Sequence, residues 1–142
     1  MANDFTISLG GTEDVIKQIK DLVKAVGPEK AEPILLKGAR KLAKAIRAKA
    51  PPGPTGNLKK AVKTKQLERW GKNPAPAIAA IDRKRAAHAH LVEYGHALVR
   101  SGKVIGHVPA HPFWRPAIDA NFQGVLSDVT KGLNQLVEEA KK

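Results

Sequence analysis

The chain of 142 residues contains no cysteine, which excludes disulfide bonds, thiolate metal sites and cysteine nucleophiles. Any catalysis would have to use Ser, His, Lys or carboxylates. Aromatic residues make up only 4% of the chain. No apolar run approaches the roughly 18 to 20 residues that span a bilayer, so we expect no membrane partner. Because no basic head with an apolar segment opens the chain, we expect the protein to remain in the cytoplasm where it is made.

Acidic residues are also in short supply, with 13 Asp and Glu against 25 Lys and Arg. The resulting formal charge of +12 favours polyanionic partners, such as nucleic acid or an acidic protein face. The length fits a single domain over residues 1–142 that can bury a real core.

Periodicity predicts the elements of the first half. Residues 5–9 alternate apolar with polar side chains, as in a half-buried strand. Residues 12–26 carry one apolar stripe and predict a helix that ends at Gly27 and Pro28. A second helix begins near Pro28 or, if Pro33 takes the first turn, near Glu32.

The second helix also carries a row of cations opposite its apolar line. We name this row the basic ridge, and its members are Lys37, Arg40, Lys41, Lys44 and Arg47. It suits contact with phosphates but contains no Asn or Gln to read bases, so it supports only sequence-independent contact. A solvated helix face without a ligand accounts for it equally well.

The second half predicts strands followed by a long helix. Residues 50–56 form a loop, residues 57–67 contain a strand with Lys63 and Lys65 facing solvent, and residues 77–82 supply its partner. Residues 86–94 fit a helical turn or a strand, and residues 99–107 predict a mobile excursion. From Pro116 to residue 140 the apolar spacing predicts a long helix. The expected fold is α+β: a small, mainly antiparallel sheet with about three helices, the last long enough to reach beyond its own domain.

Residues 109–116 are rich in proline, which fixes the backbone and disfavours helix before it. We call this segment the strap. Phe113 and Trp114 lie within it as large apolar anchors, and Pro116 suits the first turn of the last helix. The simplest interpretation is a loop that inserts its aromatic rings into the domain's own core.

The sequence offers residues for two kinds of site, a zinc site and a metal-dependent nuclease site. The five histidines lack the spacing of known zinc motifs, because no HExxH and no cysteine accompany them. Asp82 and Glu93, with Lys84 nearby, could form a metal-dependent nuclease, but the lysine expected after the second acid is replaced by Tyr94 and Gly95. We therefore expect no catalytic residues, no metal and no cofactor.

Three short motifs occur in an order that resembles the head-tail joining, or tail-completion, proteins of long-tailed bacteriophages. They are an Ala-Pro and Thr-Gly-x-Leu loop, a Glu-aromatic-Gly signature, and a Pro-Phe-x-x-Pro-Ala entry to the last helix. The matching residues are Ala50, Pro51, Thr55, Gly56, Leu58, Glu93, Tyr94, Gly95, Pro112, Phe113, Pro116 and Ala117, with Trp114 beside Phe113. The chain departs from the pattern by extra prolines in the first loop and by His96.

The resemblance implies a non-enzymatic virion protein of the phage neck, assembled as a ring with sixfold symmetry. Its expected partners are head connector or completion proteins, tail terminator or tube proteins, and DNA in the channel. Glu93 is expected to pair with a basic group such as Arg115, and residues 99–107 to meet neighbouring subunits. The alternatives are a sequence-independent nucleic-acid-binding protein and a metal-dependent nuclease.

Overall fold

A computed structural model describes residues 12–142, so the strand predicted at residues 5–9 lies outside the described residues. The helices are α1 (Thr12–Val26), α2 (Pro28–Lys49), α3 (Asn57–Ala61), α4 (Ala89–Tyr94) and α5 (Trp114–Ala140). The strands are β1 (Val62–Gln66), β2 (Ala77–Ile81), β3 (His96–Arg100) and β4 (Lys103–Val108). The α+β class is confirmed, with two short helices in addition to the three expected.

The strands form two separate antiparallel pairs rather than one sheet. β1 pairs with β2, with Val62 opposite Ile81, and β3 pairs with β4, with His96 opposite Val108. Lys63 and Lys65 of β1 are exposed, as predicted. The ambiguous segment before Gly95 forms helix α4.

Residues 99–107, predicted as a mobile excursion, belong to the β3–β4 hairpin. The turn lies at Ser101 and Gly102, both of which have positive φ, at 49° and 75°. Cross-strand backbone hydrogen bonds replace the expected loop. A Ser-Gly pair between apolar residues is a turn signal that the sequence carries.

The three long helices pack around one of two apolar clusters. Its members are Val23 of α1, Ala31 of α2, and Val125, Val129 and Leu133 of α5. Helix α2 contacts α5 closely at Gly38, where an added Cβ would lie 2.8 Å from Cγ2 of Val129. Only glycine therefore permits this separation of the two helices.

The second cluster joins the centre of the chain to the strap. Phe113, 1% exposed, lies among Ile46, Leu58, Val62 and several alanines. Because alanine side chains are short, one large ring fills the space that they leave. Trp114 packs against the same cluster, half-buried. Both rings of the strap therefore contact the core, with Phe113 fully buried and Trp114 half-buried.

Most of helix α5 packs within its own domain. Its buried residues run from Ala117 to Leu133, and only the last turn, from Glu138 onward, is fully exposed. The expected reach beyond the domain is thus limited to that turn. Between residues 12 and 142, no helix combines the length and apolar character needed to cross a membrane.

Candidate functional site

Glu93, in the last turn of α4, is a buried carboxylate that caps the start of α5. Its Oε2 accepts hydrogen bonds from the main-chain N–H groups of Phe113 (2.9 Å) and Trp114 (3.0 Å). Its Oε1 accepts one from the N–H of Arg115 (3.1 Å). Pro116 follows and has no N–H, so every main-chain donor at this end of the helix is satisfied. The negative charge also lies at the positive end of the helix dipole.

Arg115 is therefore a partner of Glu93, as predicted, but through its main-chain N–H and not through its guanidinium. The carboxylate binds the peptide N–H of Arg115, and among residues 12–142 it forms no ion pair with a guanidinium. A helix cap from a distant element explains why a Glu-aromatic-Gly signature and a Pro-Phe-x-x-Pro-Ala signature occur together. Each motif supplies half of one hydrogen-bonded junction.

Gly95 brings the two halves of this junction into backbone contact. Its φ is 71°, and an added Cβ would lie 2.6 Å from the Val108 carbonyl oxygen and 2.8 Å from the Ala110 nitrogen. Next to it, the His111 N–H donates to the Val92 carbonyl oxygen at 2.8 Å. A side chain at position 95 would both strain the backbone and push the strap away from α4.

The remaining motif residues divide between core and surface. Leu58 is buried in the cluster around Phe113, and Gly56, with φ of 64°, immediately precedes α3. Thr55 is exposed, and its Oγ1 accepts the Asn57 N–H at 3.4 Å. Tyr94 and Pro112 are exposed.

The five cations of the basic ridge are all exposed on α2, as predicted, but they are not equivalent. Lys41 forms an ion pair with Asp128 of α5. The hydrogen bond from Lys41, with its charge, lowers the pKa of Asp128. Lys41 is thus partly neutralised by its own domain and is the least available member for an external anion.

Arg40, Lys44 and Arg47 line a shallow groove of about 500 Å³ together with Lys63 and Thr64 of β1. Among the described residues, none of the three α2 cations has a carboxylate within ion-pairing distance. Nε of Arg47 donates to the Val62 carbonyl oxygen at 2.9 Å, which orients its guanidinium. We call this surface the cationic groove.

Lys63 closes one side of the cationic groove and is paired with Asp82 at 2.9 Å. This hydrogen bond, together with the N–H of Lys84, lowers the pKa of Asp82. Asp82 therefore orders the exit of β2, while Glu93 caps α5. The two carboxylates thus accept from different groups, Asp82 from Lys63 and the N–H of Lys84, and Glu93 from main-chain N–H groups at the start of α5.

The histidines do not join other metal-ligating side chains in a common site within residues 12–142. Within the part of the chain that the structure describes, no group of three or more His, Asp or Glu side chains is placed to hold a metal ion. His88, His90, His107 and His111 are exposed, and His96 is half-buried.

The β3–β4 hairpin presents the largest group of exposed apolar side chains. Leu98, Val99, Val104 and Ile105 are 42%, 61%, 68% and 63% exposed. The two strands contact each other far more than any other element. An isolated two-stranded hairpin is at best marginally stable in water. Residues 99–107 were expected to meet neighbouring subunits as a mobile excursion, whereas the structure gives them strand geometry.

Comparison with known proteins yields one match. The model of a family described as "Bacteriophage HK97-gp10, putative tail-component" matches residues 13–95. This range includes the basic ridge, the first sheet and the Glu93–Gly95 signature, and ends before the hairpin. No curated protein and no solved structure matches the chain.

Proposed function

The chain belongs to the HK97-gp10-like family of phage tail components, and from this premise we propose that it is a ring-forming joint between the head connector and the tail tube. A tail component is part of the virion, and interaction with other phage structural proteins follows from that location. The proposal adds the position in the neck and a ring of sixfold symmetry. It also adds contacts with connector or completion proteins on one side and terminator or tube proteins on the other.

The observation that carries the proposal is the exposed apolar hairpin. Large exposed apolar side chains that are concentrated in one element often mark sites of protein association. Here they lie on both strands of a projecting hairpin with open edges, which a neighbouring strand can extend. We expect the hairpin to dock on the adjacent copy in the ring, because a closed ring gives every subunit the same contact.

The junction at Glu93 supports the same role by fixing the hairpin relative to the rest of the domain. The hairpin leaves α4 at Gly95 and returns through the strap to α5, so Glu93 and Gly95 hold both of its ends. A subunit that transmits position between two assemblies needs such a rigid base. We propose that this structural role is the whole activity and that the protein is not an enzyme.

The proposal is tested by interrupting the gene in the phage that encodes this chain. DNA-filled heads and complete tails should both accumulate unattached, because neither requires the joint for its own construction. Adding purified protein to a mixture of these heads and tails should restore infectious particles, counted as plaques and as joined particles in electron micrographs.

The control is the same mutant with the wild-type gene supplied in trans. Normal yields of joined particles without the protein would refute the proposed role. Arrest at DNA packaging or at tail polymerisation would place the protein at another step and would equally refute a joint.

A further inference from the structure

We infer that the cationic groove binds the phosphate backbone of double-stranded DNA without sequence preference. The inference goes beyond the joining function and does not depend on it, because the groove is a property of the isolated domain. It concerns Arg40, Lys44 and Arg47 of α2, with Lys63 at the border of the groove.

The spacing of these cations suits a nucleic-acid backbone. Positions 40, 44 and 47 lie on one face of α2 and extend over about 10 Å at a rise of about 1.5 Å per residue. A DNA strand presents one phosphate about every 3.4 Å of helix axis. The row therefore faces about three phosphates.

One local contact prepares the groove for an anion. The bond from Arg47 to the Val62 carbonyl oxygen uses Nε and leaves the terminal guanidinium nitrogens for another acceptor. Side chains that are already held in place lose less entropy on binding. By contrast, Lys41 is occupied by Asp128, so the anion-binding part of the ridge lies on the β1 side.

The chemistry of the lining favours DNA over an acidic protein. Protein interfaces have an apolar centre, whereas the cationic groove is lined by four cations and one threonine. Protein–DNA interfaces are the more polar and more positive class. Unpaired bases bind by stacking on aromatic side chains, and no aromatic side chain is among the residues that line the groove. The lining therefore favours a duplex over a single strand.

The experiment measures binding of the purified full chain to a fluorescent 30-base-pair duplex between 50 and 200 mM salt. Wild-type protein should bind two unrelated duplexes with equal affinity and a log–log salt slope of about −3, as about three phosphate contacts require. Arg40→Gln with Lys44→Gln should weaken binding at least tenfold at 50 mM salt and reduce the slope to about −1. Thermal denaturation should show that both proteins are equally folded.

The matched control is Lys17→Gln with Lys20→Gln, which removes the same charge from exposed positions on α1. Its affinity and slope should stay near the wild-type values. If both double variants lose the same affinity for the duplex, the DNA is attracted by the net charge of the protein alone, and the groove is not a binding site. Absence of duplex binding by the wild type would overturn it as well.

Parallel titrations use the single strand of the same sequence, the matching RNA duplex and poly-glutamate. Tighter binding of the single strand would overturn the duplex assignment, and a preference for the RNA duplex would overturn DNA as the ligand. If poly-glutamate binding depends on Arg40 and Lys44 while DNA binding does not, the partner is an acidic protein and the inference is wrong. Each result is independent of whether heads and tails require the protein for joining.

Discussion

At the scale of single residues, Glu93 links the two signatures that define this chain. A buried carboxylate is costly unless its oxygens accept hydrogen bonds, and here three main-chain N–H groups supply them. The energetic dependence is mutual, because those N–H groups would lose their partner without the carboxylate. Phe113, whose own N–H is one of the three, also fills the adjacent core. Capping and packing therefore act at the same point.

We expect substitutions at Glu93 to destabilise the domain in a graded way. Glu93→Ala should lower the free energy of unfolding by about 2–4 kcal/mol, because it leaves buried donors unsatisfied. Glu93→Gln should cost about 1–2 kcal/mol, because its oxygen can still serve Phe113 and Trp114 while Arg115 loses its acceptor. Urea denaturation followed by circular dichroism measures both values.

Asp119→Asn is the control for the Glu93 series, since it removes the same charge from an exposed position on α5. It should change stability by no more than about 0.5 kcal/mol. If Glu93→Gln is no less stable than Asp119→Asn, the cap contributes nothing and our account of the junction fails.

At the scale of elements, the β3–β4 hairpin is built differently from the β1–β2 pair. β1 and β2 pack on α2, and Val62 is 1% exposed. The hairpin has strands of five and six residues, against five and five in the β1–β2 pair, but no comparable cover. Apolar residues in such an element contribute little to the fold of the subunit. We propose that they serve the ring interface instead.

We expect Val104→Thr with Ile105→Thr to impair assembly while leaving the subunit folded. Threonine retains β-branching and strand propensity but removes apolar area from the proposed contact. The yield of joined phage particles should fall at least tenfold, and sedimentation velocity of the purified protein should show fewer oligomers. The melting temperature should change by no more than about 2 °C, because both residues are exposed.

The matched control for the hairpin is Leu67→Thr with Ile78→Thr, which removes two exposed apolar side chains near the other sheet. This variant should assemble normally. Equal defects in both variants would indicate a general loss of solubility, and normal assembly by the hairpin variant would exclude the hairpin from the ring interface.

At the scale of the whole molecule, the stability of a chain with net charge +12 depends on the contacts that its few carboxylates make. Glu32 accepts from Arg69 and from the Ala75 N–H, Asp82 from Lys63, and Asp128 from Lys41. These bonds lower the pKa of all three carboxyl groups. The carboxylates thus connect surface segments that the excess of positive charge would otherwise separate.

The direction of these pKa changes predicts acid sensitivity. A carboxyl group whose pKa is lower in the folded than in the unfolded state stabilises the fold above its unfolded pKa, which is about 4. That stabilisation is lost as the pH falls through the folded pKa. The melting temperature should therefore be nearly constant from pH 7 to 5 and decrease steadily below about pH 4.

Thermal denaturation from pH 7 to 3 checks the acid prediction. Glu32→Gln should lower the melting temperature at pH 7 and reduce the difference between pH 7 and pH 3. Glu139→Gln, at an exposed position near the end of α5, is the control and should follow the wild-type curve. A melting temperature that rises on acidification would contradict the assigned sign.

Local pattern was sufficient for much of this protein. Turn residues and apolar periodicity located α1, α2, α5 and the β1–β2 pair, because helix and strand periods are properties of neighbouring residues. The same reasoning placed the basic ridge on the exposed face of α2. Ordered motifs also pointed to a phage tail family, which the family match confirms.

Contacts between distant segments were decided only by the tertiary structure. Glu93 caps a helix that begins some twenty residues later, and Lys41 is neutralised by Asp128 from the far end of the chain. Gly38 is needed because Val129 packs against it. The period of a sequence shows which face of a helix is buried but not which element covers it. For that reason, the division of the basic ridge into an occupied and an available part could not be predicted before the helices were packed.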